Sequence, residues 1–263
     1  AKAWSGLAGI GYETNAAATQ SIAAIQYSRS RFALSANGVW RRADNYIAGK
    51  GQEIAFSQYN KWNVGLSAVY QLTPDHQLRA DYLQDEGYNI GYPALTMDVS
   101  FAKAKIGSAS YIYAPKDRKL SRWETKLYYN FIDHAMDDTK RPAWQVPIHM
   151  DMPGTSQTAG VYSKAKWHFA GHSPEVQLTA YSNRLHAEMT MYPHNAAEMF
   201  MLTLPDVQRT VYGLDVKDKL YFKGDWTLGP SLTVNYVQSD IYTELGRETL
   251  SSLFAGSVSR RNP

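Results

Sequence analysis

None of the 263 residues is cysteine, so neither disulfides nor thiolate metal sites contribute to this chain. No stretch approaches the ~20 consecutive apolar residues of a membrane helix. There is also no Gly-rich phosphate loop, no His-Glu-x-x-His zinc motif and no Gly-x-Ser-x-Gly nucleophile elbow. Catalysis therefore has no motif to rest on, and neither an enzyme activity nor a catalytic cofactor is expected. The net charge is only +3, without a basic block or an aromatic-basic stripe, which argues against a nucleic-acid partner.

What the chain does have is aromatic residues, 19 Tyr and 7 Trp among them, the two types that favour a membrane–water interface. It also has alternation. From Lys61 to Leu72, Trp62, Val64, Leu66, Ala68, Tyr70 and Leu72 share one face, and Asn63, Gly65, Ser67 and Gln71 share the other. The same period of two runs through Trp123, Thr125, Leu127, Tyr129 and Phe131, through Ala159, Val161, Ala165, Trp167 and Phe169, and through Tyr212, Leu214 and Val216. The opposite faces carry Lys126, Lys164, Lys166, Lys217 and Lys219, which suit a hydrated lumen and not a dry core.

Strands are predicted over 2–13, 18–28, 31–43, 60–72, 76–88, 103–114, 119–132, 157–170, 174–188, 207–222 and 225–241. These segments are long beside the ~5–6 residues usual in globular sheets. Tight turns at Thr73-Pro74-Asp75, Pro115-Lys116-Asp117-Arg118, Gly171-His172-Ser173-Pro174 and Lys223-Gly224-Asp225 alternate with long connections at 44–60, 89–102, 133–156, 189–206 and 242–263. Tight turns at one end and long loops at the other are the mark of an outer-membrane barrel. The fold class is thus all-β, a transmembrane antiparallel β-barrel. Eleven strands is an odd number, and an unclosed sheet leaves edges that lipid cannot satisfy, so residues 1–263 read as one part of a larger barrel.

Several stretches resemble the barrel of TonB-dependent outer-membrane receptors, especially those of Bacteroidetes-like bacteria. They are Tyr59-Asn60-Lys61-Trp62-Asn63-Val64-Gly65-Leu66, Leu78-Arg79-Ala80-Asp81-Tyr82, Asp85 through Leu95, Phe131 through Asp138, and Met150 through Ser156. The resemblance implies the N-terminal half of a 22-stranded barrel that normally encloses a plug; neither a plug nor a TonB box is recognisable in this chain. It further implies a receptor in the outer membrane of a Gram-negative bacterium, surrounded by lipid and importing a metal or metal chelate with energy relayed by TonB through the plug region. A passive porin-like channel and a surface adhesin barrel are the alternatives.

All eight methionines fall in the predicted long loops, together with or beside four of the seven histidines. The groups are Met97; His134-x-Met136; His149-Met150-x-Met152; and His186 followed by Met189, Met191, His194, Met199 and Met201. Thioether sulfur prefers Cu(I), and imidazole accepts copper, zinc, iron or nickel. In an extended segment the two sulfurs of Met-x-Met share a face and can approach one ion. His134, Met136, His149, Met150, Met152, Met189 and Met191 are the expected metal ligands, with Asp133, Met97, His194, Met199 and Met201 completing a ligand-binding mouth. The Asp133-His134-x-Met136-Asp137 stretch resembles that of copper-importing members of the family. Transported copper, an iron-siderophore or other chelate against an adaptable apolar mouth, and simple loop packing all fit the pattern. Asp133, Asp137, Asp138 and Asp151 read as solvated loop carboxylates or, less simply, as Ca²⁺ ligands without EF-hand spacing.

Overall fold

A computed structural model describes residues 3–116 and 118–253. Its strands are β1 (Ala3–Glu13), β2 (Ala18–Arg29), β3 (Phe32–Ala43), β4 (Tyr59–Thr73), β5 (His76–Ile90), β6 (Asp98–Tyr113), β7 (Leu120–Asp137), β8 (His149–Trp167), β9 (Glu175–Tyr192), β10 (Met199–Lys217), the short pair β11 (Leu220–Tyr221) and β12 (Thr227–Leu228), and β13 (Ser231–Ile241). One helix follows, α1 (Glu244–Leu253). Eleven strands form a single antiparallel sheet in chain order, β1 through β10 and then β13, with β1 and β13 as its edges. Each strand pairs with its neighbours in sequence, which is the up-and-down meander of a barrel wall.

Cross-strand pairing sorts every residue onto one of two faces. The first face is apolar and exposed: Trp4, Ile25, Leu66, Leu127, Leu178 and Tyr212 all point outward. A soluble protein would bury such a face; here it covers the sheet from edge to edge, as lipid contact requires. Near β1–β4 the apolar residues reach high along the strands, to Ile10, Trp40 and Trp62. On β8–β10 they give way earlier, at Gln157, Arg184 and Gln208. Strands tilted against the membrane produce this oblique band.

The second face is polar and its charges are partnered. Arg79 meets Asp81 at 2.8 Å, and Ser67 donates to the same carboxylate at 2.7 Å. Arg122 meets Glu124 at 2.8 Å, and the Tyr162 hydroxyl donates to Glu124 at 2.6 Å. Lys166 lies opposite Glu175, which lies opposite Lys217. This is a wall suited to water or to polar protein, as the alternation implied.

Several boundaries differ from expectation. The loop expected over 133–156 shrinks to 138–148, because β7 runs on to Asp137 and β8 begins at His149. The loop expected over 189–206 shrinks to 193–198 for the same reason. At the opposite end, the strand expected over 207–222 stops at Lys217. There the Asp218 carboxylate accepts the N–H groups of Ser173 and Lys219 at 3.1 and 2.8 Å, and Pro230 across the pair has no N–H to donate. The strand expected over 225–241 correspondingly begins at Ser231. Residues 244–253 of the last predicted loop form α1, capped by Thr243, whose hydroxyl accepts the Gly246 N–H at 3.1 Å. Lys2 of the first predicted strand, Asp117 of the second tight turn and residues 254–263 lie outside the described residues.

Candidate functional site: a methionine ladder

The strand extensions change what the methionine pattern means. Met136 on β7 is directly opposite Met152 on β8. The β8–β9 register is unbroken from Met150↔Met191 to Gly154↔Ala187, so Met152 stands opposite Met189, and Met189 is opposite Met201 on β10. A second row joins Met150, Met191 and Met199. Seven thioethers therefore occupy two adjacent rows across four strands. Opposed residues in such rows lie about 4.5–5.5 Å apart at Cα, and the next row lies about 7 Å along the strand. Those separations are within the reach of flexible methionine side chains.

Parity places all seven on the polar face, the one that carries Lys126, Lys164 and Asp215 lower down. On β10 this alignment depends on irregularity. Two register shifts, between Leu202 and Leu204 and between Leu204 and Val207, insert two extra residues into β10 relative to β9. One such bulge would turn Met199 and Met201 to the opposite face; two restore them. Met199 and Met201 are 44% and 38% exposed, on the stretch of β10 above Val207 that β13 does not reach. Met97 lies apart: it is buried just before β6, two residues from Val99, which is opposite Met136.

The histidines divide. His134 shares the methionine face and sits one row below Met136, opposite Gly154, which is opposite Ala187. Small neighbours leave its imidazole room. A Cβ built on Gly154 would already meet the Ala187 Cβ at 3.2 Å, so Gly154→Leu is expected to crowd His134 and to reduce metal binding severalfold while every candidate ligand remains. Isothermal titration of the variant against wild type checks this. His149 faces the other way and holds the loop: its Nδ1 meets Asp138 Oδ1 at 2.9 Å. The same carboxylate, 1% exposed, accepts the Met150 N–H at 3.0 Å and so fixes the start of β8. His186 also faces outward, with Nδ1 2.6 Å from Asp206 and Nε2 3.3 Å from Glu188. His194 lies in the exposed 193–198 connection, and Asp133 faces outward opposite Lys103. Of the expected metal set the structure thus brings together His134, Met136, Met150, Met152, Met189 and Met191, adds Met199 and Met201, and sets His149 elsewhere. Among the described residues no group of three His, Asp or Glu side chains is arranged to hold a metal ion.

Carboxylates brace the ladder. Burial pushes the Asp137 carboxyl up, but hydrogen bonds from Ser100 and Thr139 outweigh it and hold the group below the usual range. Burial likewise opposes ionisation of Asp206, and bonds from Thr243 and His186 more than offset it. A further clamp had no sequence signal. Arg141, 5% exposed, donates to Asp98 at 2.5 and 3.1 Å and to the Tyr92 carbonyl at 3.0 Å, with its guanidinium 3.7 Å above the Phe56 ring centre. One side chain from 138–148 thereby joins the 44–58 and 91–97 loops.

No protein-family model and no curated protein sequence matches the chain. Solved structures do match. The copper transporter OprC superposes on 92% of this chain with a TM-score of 0.82 at 18% identity. The fold is that of part of a TonB-dependent receptor barrel. Two forms of the FrpB iron transporter of Neisseria meningitidis, the F5-1 apoprotein and the F3-3 variant, also match over 90% of the chain, with TM-scores of 0.54 and 0.53 at 10% and 9% identity. The chain spans 39% of the length of OprC and 42–44% of the FrpB chains, which fits eleven strands of a 22-stranded barrel without its plug. Barrels of this fold sit in the outer membrane of Gram-negative bacteria, and the lipid-facing band suits the same setting. In barrels so placed the tight turns are periplasmic and the long loops extracellular, an orientation that would set the methionine face on the lumen wall near its outer mouth.

Proposed function

We propose that the chain is part of a TonB-dependent importer whose cargo is copper, captured as Cu(I) by the methionine ladder and His134. The observation that carries this is the alignment of seven thioethers on the lumen wall, with an imidazole one row nearer the periplasm. Thioethers are poor ligands for hard ions and good ones for Cu(I). Methionines that served only packing would have no reason to stand in register across four strands on a face otherwise lined with lysine and tyrosine. The likeness of the fold to a copper transporter supports the reading, and the match to iron transporters keeps a second one in view: the same flexible, weakly polar wall would suit an organic ferric chelate. TonB is the implied partner, engaged through the plug of the complete receptor.

The two readings part on selectivity. The detergent-purified receptor that contains this barrel segment is expected to bind Cu(I) and Ag(I) tightly, Cu(II) more weakly and ferric siderophores not at all, as measured by competition against a Cu(I) chelator and by metal analysis after gel filtration. Binding of a ferric chelate without retention of Cu(I) would replace copper with iron as the cargo.

A further inference from the structure

The periplasmic connection between β10 and β13 is unlike the others. Residues 218–230 form a two-stranded ribbon that continues the β10–β13 register: Lys217 opposes Ser231, Leu220 opposes Leu228, Tyr221 opposes Thr227, and the Phe222 N–H donates to the Trp226 carbonyl at 2.9 Å. An unbroken register preserves facing. Leu220, Phe222, Trp226 and Leu228 therefore lie on the side that carries Val216 and Leu232, the lipid side of the wall. Phe222, Trp226 and Leu228 are 56%, 77% and 56% exposed.

The span above the ribbon is too short to cross a membrane alone. On β10 the outward apolar residues are Tyr212, Leu214 and Val216, with Thr210 and Gln208 beyond them, and on β13 Leu232, Val234 and Tyr236 give way to Gln238 and Asp240. A tilted strand needs about 9–11 residues to cross the hydrocarbon. On β4 the outward apolar run extends from Trp62 to Leu72, whereas here it ends at Val216 unless the ribbon continues it to Phe222. Lysines lie beside the aromatic rings. Lys219 stands 5.3 Å from the Tyr221 ring centre, Lys119 stands 5.9 Å from that of Phe169, and Phe169 stacks on His172, whose backbone bridges to Leu220. Lys223 is at the tip. Of the two acids, Asp218 is held by His172 at 3.0 Å and Asp225 forms the turn.

We infer that this ribbon is an interfacial anchor seated in the phospholipid headgroup layer of the periplasmic leaflet. Its apolar face continues the lipid-facing band beyond the interruption at Asp218, with Lys119 beside the Phe169 ring and Lys223 at the tip as the cations for lipid phosphates, while Lys219 and Tyr221 lie on the other face. Continuity with the lipid band and the pairing of aromatic rings with lysines favour lipid over a periplasmic protein, since both are features of membrane-interface belts. The inference takes from the barrel reading only the assignment of the tight turns to the periplasm, and it does not depend on the cargo.

Because the chain has no cysteine, nitroxide labels can be placed at Leu228→Cys on the apolar face and Thr227→Cys on the other. The receptor is reconstituted in bilayers of phosphatidylethanolamine and phosphatidylglycerol. The label at 228 is expected to collide severalfold more with oxygen than with a water-soluble nickel chelate, and the label at 227 to show the reverse. Equal access of the chelate to both positions would mean that the ribbon stands in the aqueous periplasm and would overturn the inference. Shielding of both positions from both reagents would overturn it too, in favour of a protein contact. Neither result would bear on copper binding, which is read separately.

Discussion

Replacing Met136, Met152, Met189 and Met201 together with leucine is expected to weaken Cu(I) binding by about 100-fold or more, since loss of mere outer-shell partners already costs about 10–100-fold. Leucine keeps the bulk and apolarity of methionine, so packing changes little, and stability should fall by less than about 1.5 kcal/mol per substitution. These four residues form one continuous row over β7, β8, β9 and β10. The matched control is Met97→Leu, which alters a buried methionine outside the rows and should leave affinity unchanged. Cu(I) competition titrations on the detergent-purified receptor decide the matter. Unaltered affinity in the quadruple variant would reduce the ladder to an apolar lining.

Arg141→Ala is expected to destabilise the extracellular loops by about 3–5 kcal/mol, because it leaves the Asp98 carboxylate buried without its counter-ion. Asp98 is 4% exposed, and in the native chain its remaining partner of note is the Tyr92 N–H at 3.0 Å. The double variant Arg141→Met/Asp98→Asn should cost clearly less than the sum of the two single changes, because the coupled charges leave together. Limited proteolysis within 138–148 and unfolding in detergent report the effect. Additive costs would show that the pair does not hold these loops.

Those two sites were not equally legible in the sequence. The membrane-crossing portions of β4, β7, β8 and β10 were plain, because lipid outside and water inside impose a strict apolar–polar alternation. Above the membrane the rule inverts. On β7 the outward residues become Asp133 and Asp137 while the inward ones become His134 and Met136, and on β9 outward His186 and Glu188 alternate with inward Met189 and Met191. A strand whose polar residues face out and whose soft apolar residues face in no longer resembles the segment below it, so its upper half reads as loop. The methionines were recognised as a group, but their register was hidden, because it depends on two bulges around Pro205 and Asp206 that no spacing rule announces. The Arg141–Asp98 pair joins residues 43 positions apart across two loops, and nothing local marks it. The ribbon at 218–230 reads as ordinary strand and turn; Asp218 visibly interrupts the lipid face of that segment, but nothing in the pattern shows that the strand itself ends at Lys217 and resumes as a separate pair.

A thioether binds no proton at any pH a bacterium meets, whereas carboxylate and imidazole ligands in general take one up in acid and cease to coordinate. On the proposed reading, the rows of Met136–Met201 and Met150–Met199 would therefore keep their hold on a soft ion in an acidified environment. Capture at this mouth would be indifferent to acidity that empties sites built from carboxylates alone.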